Sequence, residues 1–247
     1  MTAVLVHGVP ETFELWDGVR KELADIESIA LSLPGFGVPV PTGFGATMDE
    51  YADWLVGELE KVDAPVDLVG HDWGGLLVGR LVSIRPELVR SWVSDAVGGF
   101  DPEFTWHDLA KIWQTPGEGE EFFAAIRALP LEQRAETFAA FGIPHDHALD
   151  LARSQDEVMH DCILKLNRSA VGVEQKWGPG LGRVAAPGLV LIGADDALND
   201  EGRARRVAER TGARFEKLEG VGHFWPYEAP EPGAAMLREF WGSLPRG

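Results

Sequence analysis

Six short apolar runs alternate with longer amphipathic stretches along most of this chain, and this alternation limits the fold more than any other feature of its 247 residues. The runs are rich in Val, Leu and Ile without a clear polar alternation, which is typical of strands covered on both faces. Strands that alternate with helices predict right-handed βαβ units in an open, mostly parallel sheet. The predicted strands are 3–6, 28–31, 66–69, 92–94, 188–192 and 214–218, and the predicted helices are about 12–24, 47–61, 76–85, 201–211 and 232–242.

Residues 100–184 interrupt this rhythm. The segment contains aromatic residues and helical patterns but no convincing buried strand. In open α/β sheets, ligands bind beyond the carboxyl ends of the strands. We therefore expect 100–184 to be a helical lid, or cap, inserted over that edge, with residues 1–99 and 185–247 forming the core.

The stretch GHDWGG, residues 70–75, follows a predicted strand and precedes a predicted helix. This is the setting of a nucleophile elbow, a sharp turn whose central residue adopts a positive φ. Small residues two places on either side let the strand and the helix approach closely. Gly70 and Gly74 occupy those two places, and Asp72 occupies the centre.

Two further motifs accompany the elbow: HGVPE at 7–11, after the first predicted strand, and GHF at 222–224, after the last. With them the chain resembles the α/β-hydrolase superfamily over essentially its whole length. It is most similar to the branch with an aspartate nucleophile, and the motifs are worded more like soluble epoxide hydrolases than haloalkane dehalogenases. The resemblance implies the α/β-hydrolase fold, a mostly parallel sheet flanked by helices. Because that family normally has two strands before the first motif, we expect a sheet trimmed to about six strands.

The resemblance also implies a set of catalytic roles. Asp72 would open an epoxide ring or displace a halide; attack on saturated carbon by an aspartate gives an ester that water can cleave, whereas a serine would give an ether. His223 would activate that water, and an acidic side chain would orient His223. Asp196 is the favoured acid, and Asp95 is the alternative.

The oxyanion hole and the substrate contacts follow from the same resemblance. The backbone N–H groups of Val9 and Trp73 would hold the oxyanion formed on Asp72. The side chains expected to contact the substrate are Phe36, Trp73, Trp106 and His107. The resemblance implies no cofactor, and no metal site is expected.

One element of the family pattern is missing. Epoxide hydrolases normally hold the epoxide oxygen with two lid tyrosines, whereas the only tyrosines here, Tyr51 and Tyr227, lie outside 100–184. The other donors available are Trp106, His107, His145 and His147. Three functions therefore stay open: an epoxide hydrolase that takes a hydrophobic substrate, a haloalkane dehalogenase with the same Asp/His chemistry, and a non-catalytic ligand-binding protein.

Composition narrows the partners. A net charge of −18 disfavours nucleic acid and anionic membranes and favours a small neutral substrate. Cys162 is the only cysteine, so no intrachain disulfide and no thiolate metal cluster can form. The sequence shows neither a secretory leader nor a run of roughly 18 apolar residues. These features predict a cytoplasmic protein. Its oligomeric state, monomer or homodimer, stays open.

Overall fold

Six strands form a single sheet in the computed structural model, which describes residues 2–182 and 184–245. The strands are β1 (Ala3–Val6), β2 (Ser28–Leu31), β3 (Val66–Gly70), β4 (Val89–Ser94), β5 (Gly188–Gly193) and β6 (Arg214–Leu218). All neighbouring strands are parallel, in the order β2-β1-β3-β4-β5-β6. The expected six-stranded parallel sheet is confirmed.

Twelve α-helices lie in the described residues, five of them near the predicted positions. The helix predicted from residue 76 begins at Trp73, because the turn at Asp72 leads directly into it. The helix predicted over 12–24 is a 3₁₀ turn at Phe13–Trp16 followed by one short helix. The helices are α1 (Asp17–Glu22), α2 (Met48–Leu59), α3 (Trp73–Ile84), α4 (Asp108–Gln114), α5 (Glu118–Ala128), α6 (Leu131–Ala139), α7 (His145–Ser154), α8 (Glu157–Ser169), α9 (Val173–Lys176), α10 (Glu201–Thr211), α11 (Trp225–Glu228) and α12 (Pro230–Gly242).

Both faces of the sheet are covered, as the unbroken apolar runs predict. Successive side chains of a strand point to opposite faces. Val4 and Val6 of β1 therefore pack in one apolar cluster with α2, α3 and α10, and Leu5 packs in a second cluster with α1, α11 and α12.

The strand order reverses between β1 and β3. The chain first adds β2 on one side of β1, then returns to place β3 on the other side and builds outward from there. The turns that follow β1 and β3 are thus neighbours at the carboxyl edge of the sheet. Such a reversal opens a crevice where α/β proteins bind ligands.

Residues 100–184 contribute α4 to α9 and, among their described residues, no strand. Trp113 of α4, Phe123 of α5 and Ile163 of α8 belong to the same apolar cluster as Val6 of β1 and the buried residues of α3. This helical segment is therefore packed onto the core. Within 2–182 and 184–245, no helix combines the length and apolar character needed to cross a lipid bilayer.

Candidate active site

Asp72 stands at the tip of the turn between β3 and α3, with φ 50° and ψ −119°. A positive φ is uncommon for any residue other than glycine and marks a strained turn. Gly70 and Gly74 make the turn possible: a Cβ on Gly74 would lie 2.1 Å from the carbonyl oxygen of Val6, and one on Gly70 would lie 2.3 Å from the carbonyl oxygen of Gly74. The predicted conformation of the elbow is confirmed.

The two carboxylate oxygens of Asp72 have different surroundings. Oδ1 accepts a hydrogen bond from the backbone N–H of Val9 at 3.0 Å, whereas Oδ2 lies 3.7 Å from Nε2 of His223. The backbone N–H of Trp73 makes no hydrogen bond within the described residues and lies at the start of α3, beside this carboxylate. One oxygen is thus held by an amide, and the other is free to react.

His223 is oriented by Asp196. The imidazole Nδ1 lies 2.9 Å from Oδ2 of Asp196, and the two side chains are only 7% and 2% exposed. Asp196 also accepts hydrogen bonds from the backbone N–H of Leu198 and from the side chain of Asn199. The loop after β5 therefore fixes the acid, and the acid fixes the ring so that Nε2 faces Asp72.

The charges in this group reinforce one another. Burial opposes ionisation of Asp196, but the charge of His223 and the hydrogen bonds to the carboxylate lower its pKa to about 2. Burial likewise opposes the cation of His223, but Asp196 and, more weakly, Asp72 raise its pKa to about 10. At neutral pH the resting site therefore holds an imidazolium between two carboxylates.

Asp95, the alternative acid for His223, does not pair with that histidine in this structure. Its carboxylate accepts from the backbone N–H of Asp72 at 2.8 Å and from the indole of Trp225 at 2.8 Å, and it lies 2.6 Å from Nδ1 of His71. These three hydrogen bonds occupy the carboxylate of Asp95, whereas the Nδ1 of His223 pairs with Asp196. Asp95 supports the backbone that carries the nucleophile.

Glu11 was overlooked as a site residue, although the acidic residue directly after Pro10 in an otherwise apolar turn was a signal. It is fully buried, and its Oε2 accepts from the backbone N–H of Gly8 at 2.8 Å. Burial raises its pKa to about 7. Glu11 thus closes the turn that presents the amide of Val9 to Asp72.

Two cavities meet at the candidate site. One, of about 420 Å³, is lined mainly by aromatic and aliphatic side chains of 106–141 and by Phe224; the other, of about 410 Å³, is bordered by charged residues such as Lys111 and Arg203. The residues common to both are Asp72, Trp106, His107, Leu198 and His223. The carboxylate of Asp72 can therefore be reached from the apolar cavity, which suits a hydrophobic substrate, and from the polar cavity, which suits water.

The expected substrate contacts fall into two groups. Trp73, Trp106 and His107 line the apolar cavity. Phe36 lines neither cavity; it is fully buried and packs against His7 and Tyr51, so the expectation that it contacts substrate is wrong. A buried aromatic residue after a turn looks the same in sequence whichever way it faces.

Two polar residues on the wall of the apolar cavity, Gln155 and Asn167, were not expected. Asn167 lies on α8 and Gln155 at the C-terminal end of α7, and nothing in their spacing distinguishes them from other residues of these helices. Among the described residues no group of three or more His, Cys, Asp or Glu side chains is arranged to hold a metal ion.

The comparisons with known proteins agree with this geometry. The model of the Alpha/beta hydrolase family matches residues 3–236. Epoxide hydrolase 3 of Siraitia grosvenorii is 32% identical over 145 residues, which are 50% of this chain and 44% of that protein. The chain therefore aligns with less than half the length of this curated relative.

Solved structures show the same fold at lower identity. A candidate epoxide hydrolase from Pseudomonas aeruginosa superimposes with a TM-score of 0.81 at 20% identity, covering 98% of this chain and 88% of that one. A loop variant of the haloalkane dehalogenase DbeA from Bradyrhizobium elkanii gives a TM-score of 0.71 at 19% identity, covering 98% and 90%. At these identities the likeness concerns the fold alone.

The close approach at Gly74 generates a stability prediction. In Gly74→Ala the new Cβ meets backbone oxygens of β1, which cannot rotate away, so we expect the free energy of unfolding to fall by about 3 kcal/mol, the upper range for overpacking. The matched control is Gly57→Ala in α2, where a Cβ meets nothing within 4 Å and the stability should stay equal or rise slightly. Urea unfolding of both variants measures this; equal stability of the two would contradict the proposed crowding.

The Asp196–His223 pair generates a pH prediction. The lowered pKa of Asp196, about 2 against 3.8, stabilises the fold above pH 3.8, and this stabilisation is lost as pH falls through 2. The raised pKa of His223, about 10 against 6.5, stabilises the fold below pH 6.5, and this is lost as pH rises through 10. The stability difference between the wild type and Asp196→Asn should therefore be greatest between pH 3.8 and 6.5. Urea unfolding across pH measures it, and a flat difference would refute the pairing.

Proposed function

Because the chain belongs to the alpha/beta hydrolase family, we propose that it hydrolyses a hydrophobic epoxide to a diol through an ester formed on Asp72. One observation carries the proposal: a carboxylate, not a hydroxyl, occupies the elbow between the amide of Val9 and the imidazole of His223. A carboxylate is already ionised at neutral pH and attacks saturated carbon without a base.

In the first half of the reaction, Oδ2 of Asp72 bonds to a ring carbon, the ring C–O bond breaks, and its electron pair stays on the oxygen. That oxygen takes the proton of the His223 imidazolium. The transfer is favoured because ester formation removes the charge of Asp72, one of the two carboxylates that raise the pKa of His223. His223 is then neutral and ready to act as a base.

In the second half, neutral His223 removes a proton from water, and the resulting hydroxide attacks Cγ of Asp72. Oδ1 becomes an oxyanion, which the amides of Val9 and Trp73 stabilise. Collapse breaks the ester C–O bond and expels an alkoxide, which takes the proton of the new Asp72 carboxyl group. The diol leaves, and both the carboxylate and the imidazolium are restored. The sum is epoxide plus water giving diol, with no proton left over.

Three features support an epoxide. The motifs HGVPE and GHDWGG resemble those of epoxide hydrolases, and the relative that aligns over 145 residues is named Epoxide hydrolase 3. The apolar cavity suits a hydrophobic substrate body. The net charge of −18 favours a neutral substrate over an anion.

Haloalkane dehalogenation is the second candidate, and Trp73 favours it. Its indole lines the apolar cavity and makes no hydrogen bond within the described residues, so its N–H is available to a departing halide. A binding role without chemistry has less support. It would be favoured by Asp72 and His223 lying too far apart to cooperate, whereas they lie 3.7 Å apart.

We also propose that 100–184 acts as the cap of this site. Residues from this segment, among them Trp113, Phe123 and Phe138, supply most of the wall of the apolar cavity. Asp72 and His223 come from the core on either side of it. A cap built in this way excludes water from the substrate body while the polar cavity leaves a path to the ester.

The central prediction concerns His223→Gln. Without His223 the ring oxygen must take its proton from water, so the Asp72 ester should form more slowly than in the wild type. With no base to activate water the ester should then persist, while diol formation falls by about 10²–10⁴-fold. Intact mass after incubation with a panel of epoxides measures the adduct, which should equal the whole epoxide and map to Asp72. An alkyl adduct without its halogen, from a parallel haloalkane panel, would instead establish dehalogenation.

Two controls complete the experiment. Asp72→Asn in the His223→Gln background should form no adduct. His145→Gln makes the same exchange at an exposed histidine on α7 that lines neither cavity at Asp72, and should turn over like the wild type. Absence of any adduct in His223→Gln, together with absence of turnover by the wild type on both panels, would contradict the proposed chemistry.

A further inference from the structure

Opening an epoxide places a negative charge on the ring oxygen before any proton reaches it. In a cavity walled by apolar side chains such a charge needs a hydrogen-bond donor aimed at it. The donor must face the same space as Oδ2 of Asp72. It must also be free of another acceptor.

The tyrosines of this chain do not meet those conditions. The hydroxyl of Tyr51 donates to the carbonyl of Pro34 at 2.7 Å, and Tyr227 stacks on His147. Neither lines the two cavities that meet at Asp72. Trp106 lines both, but its indole N–H donates to the carbonyl of Ala170 at 3.2 Å. Trp73 and Trp113 line only the apolar cavity and not the space that both cavities share.

His107 does meet them. It lines both cavities together with Asp72 and His223, and it is the N-cap residue of α4. Its Nδ1 accepts a hydrogen bond from the backbone N–H of Ala110 at 3.2 Å. An imidazole nitrogen that accepts carries no proton, so the proton of the neutral ring resides on Nε2. Within the described residues no group accepts from Nε2.

The protonation state agrees with this tautomer. Burial lowers the pKa of His107, although the charge of Asp72 works in the other direction. A second proton would have to bind to Nδ1 and would break the hydrogen bond from the N–H of Ala110. The ring is therefore a neutral donor at Nε2, and a neutral imidazole is a sufficient donor to a developing oxyanion.

We propose that the Nε2–H of His107 binds the epoxide oxygen and stabilises the negative charge that develops on it as the ring opens. This inference rests on the proposed epoxide chemistry. His107 keeps its proton throughout: the electron pair of the broken C–O bond stays on the oxygen, and the proton that neutralises it comes from the His223 imidazolium. The N-cap hydrogen bond of α4 thus fixes the tautomer of His107 that the reaction uses.

Two amide variants separate this role from helix capping. Asn places its amide where Nδ1 of His107 lies and is a preferred N-cap residue. His107→Asn therefore keeps the N-cap hydrogen bond of α4 and loses the donor at Nε2. Gln reaches the position of Nε2, so His107→Gln keeps an N–H donor there and loses the cap. A structural role makes Gln the worse variant, and a donor role makes Asn the worse variant.

The measurement is the rate of ester formation with a styrene-type epoxide in the His223→Gln background, where water supplies the proton that the imidazolium gives in the wild type. Rapid quenching and intact mass follow the adduct over time. Adding His107→Asn should slow ester formation about 100-fold, the usual loss for one oxyanion donor, with an unchanged melting temperature. Adding His107→Gln should restore most of the rate while the melting temperature falls.

Equal rates for His107 and His107→Asn would overturn the inference and leave the proposed function standing, as would His107→Gln being at least as slow as His107→Asn. If the parent His223→Gln forms no ester with any epoxide of the panel, the proposed function fails, and this inference fails with it.

Discussion

The candidate site depends on one strained residue, the aspartate held at φ 50° between β3 and α3. Such a conformation costs on the order of 1–3 kcal/mol and persists only where its surroundings enforce it. Here Gly74 lets α3 start against the end of β1, and the carboxylate of Asp95 binds the backbone N–H of Asp72. The position of the nucleophile is therefore fixed by the backbone. For the same reason the turn after β1, the neighbouring strand, delivers the amide of Val9 to Oδ1.

Two acidic residues that follow the neighbouring strands β4 and β5 each pair with a different histidine. Asp196 pairs with His223, the acid and base of the proposed mechanism, while Asp95 pairs with His71 at the elbow. The two imidazole rings are 4.8 Å apart. In each ring burial opposes the cation, but the partner carboxylate together with other nearby carboxylates raises the pKa. In the proposed mechanism, separate carboxylates let His223 cycle between acid and base while His71 stays in place. A single shared acid would couple the stability of the elbow to every proton transfer.

Much of this could be predicted from the sequence, because the relevant signals are local. Buried parallel strands, glycines at fixed offsets from Asp72 and the motif around His223 each depend on a few consecutive residues. The remaining features depend on which distant residues meet. Asp95 and Asp196 both follow strands, and only their partners in space distinguish them. Phe36 was assigned to the substrate and lies in the core instead, since burial against His7 leaves no trace in spacing. The boundaries of the cap and the roles of the site residues stay predictions.

The central claim is that water attacks Asp72 and not the substrate. A single turnover with enzyme in excess over epoxide, run in water enriched in oxygen-18, tests it most directly. The ester route transfers an oxygen of Asp72 to the product, so the first diol should be unlabelled and the peptide containing Asp72 should become heavier. A labelled first diol with an unlabelled Asp72 would show that water opens the ring directly, and would contradict the ester mechanism.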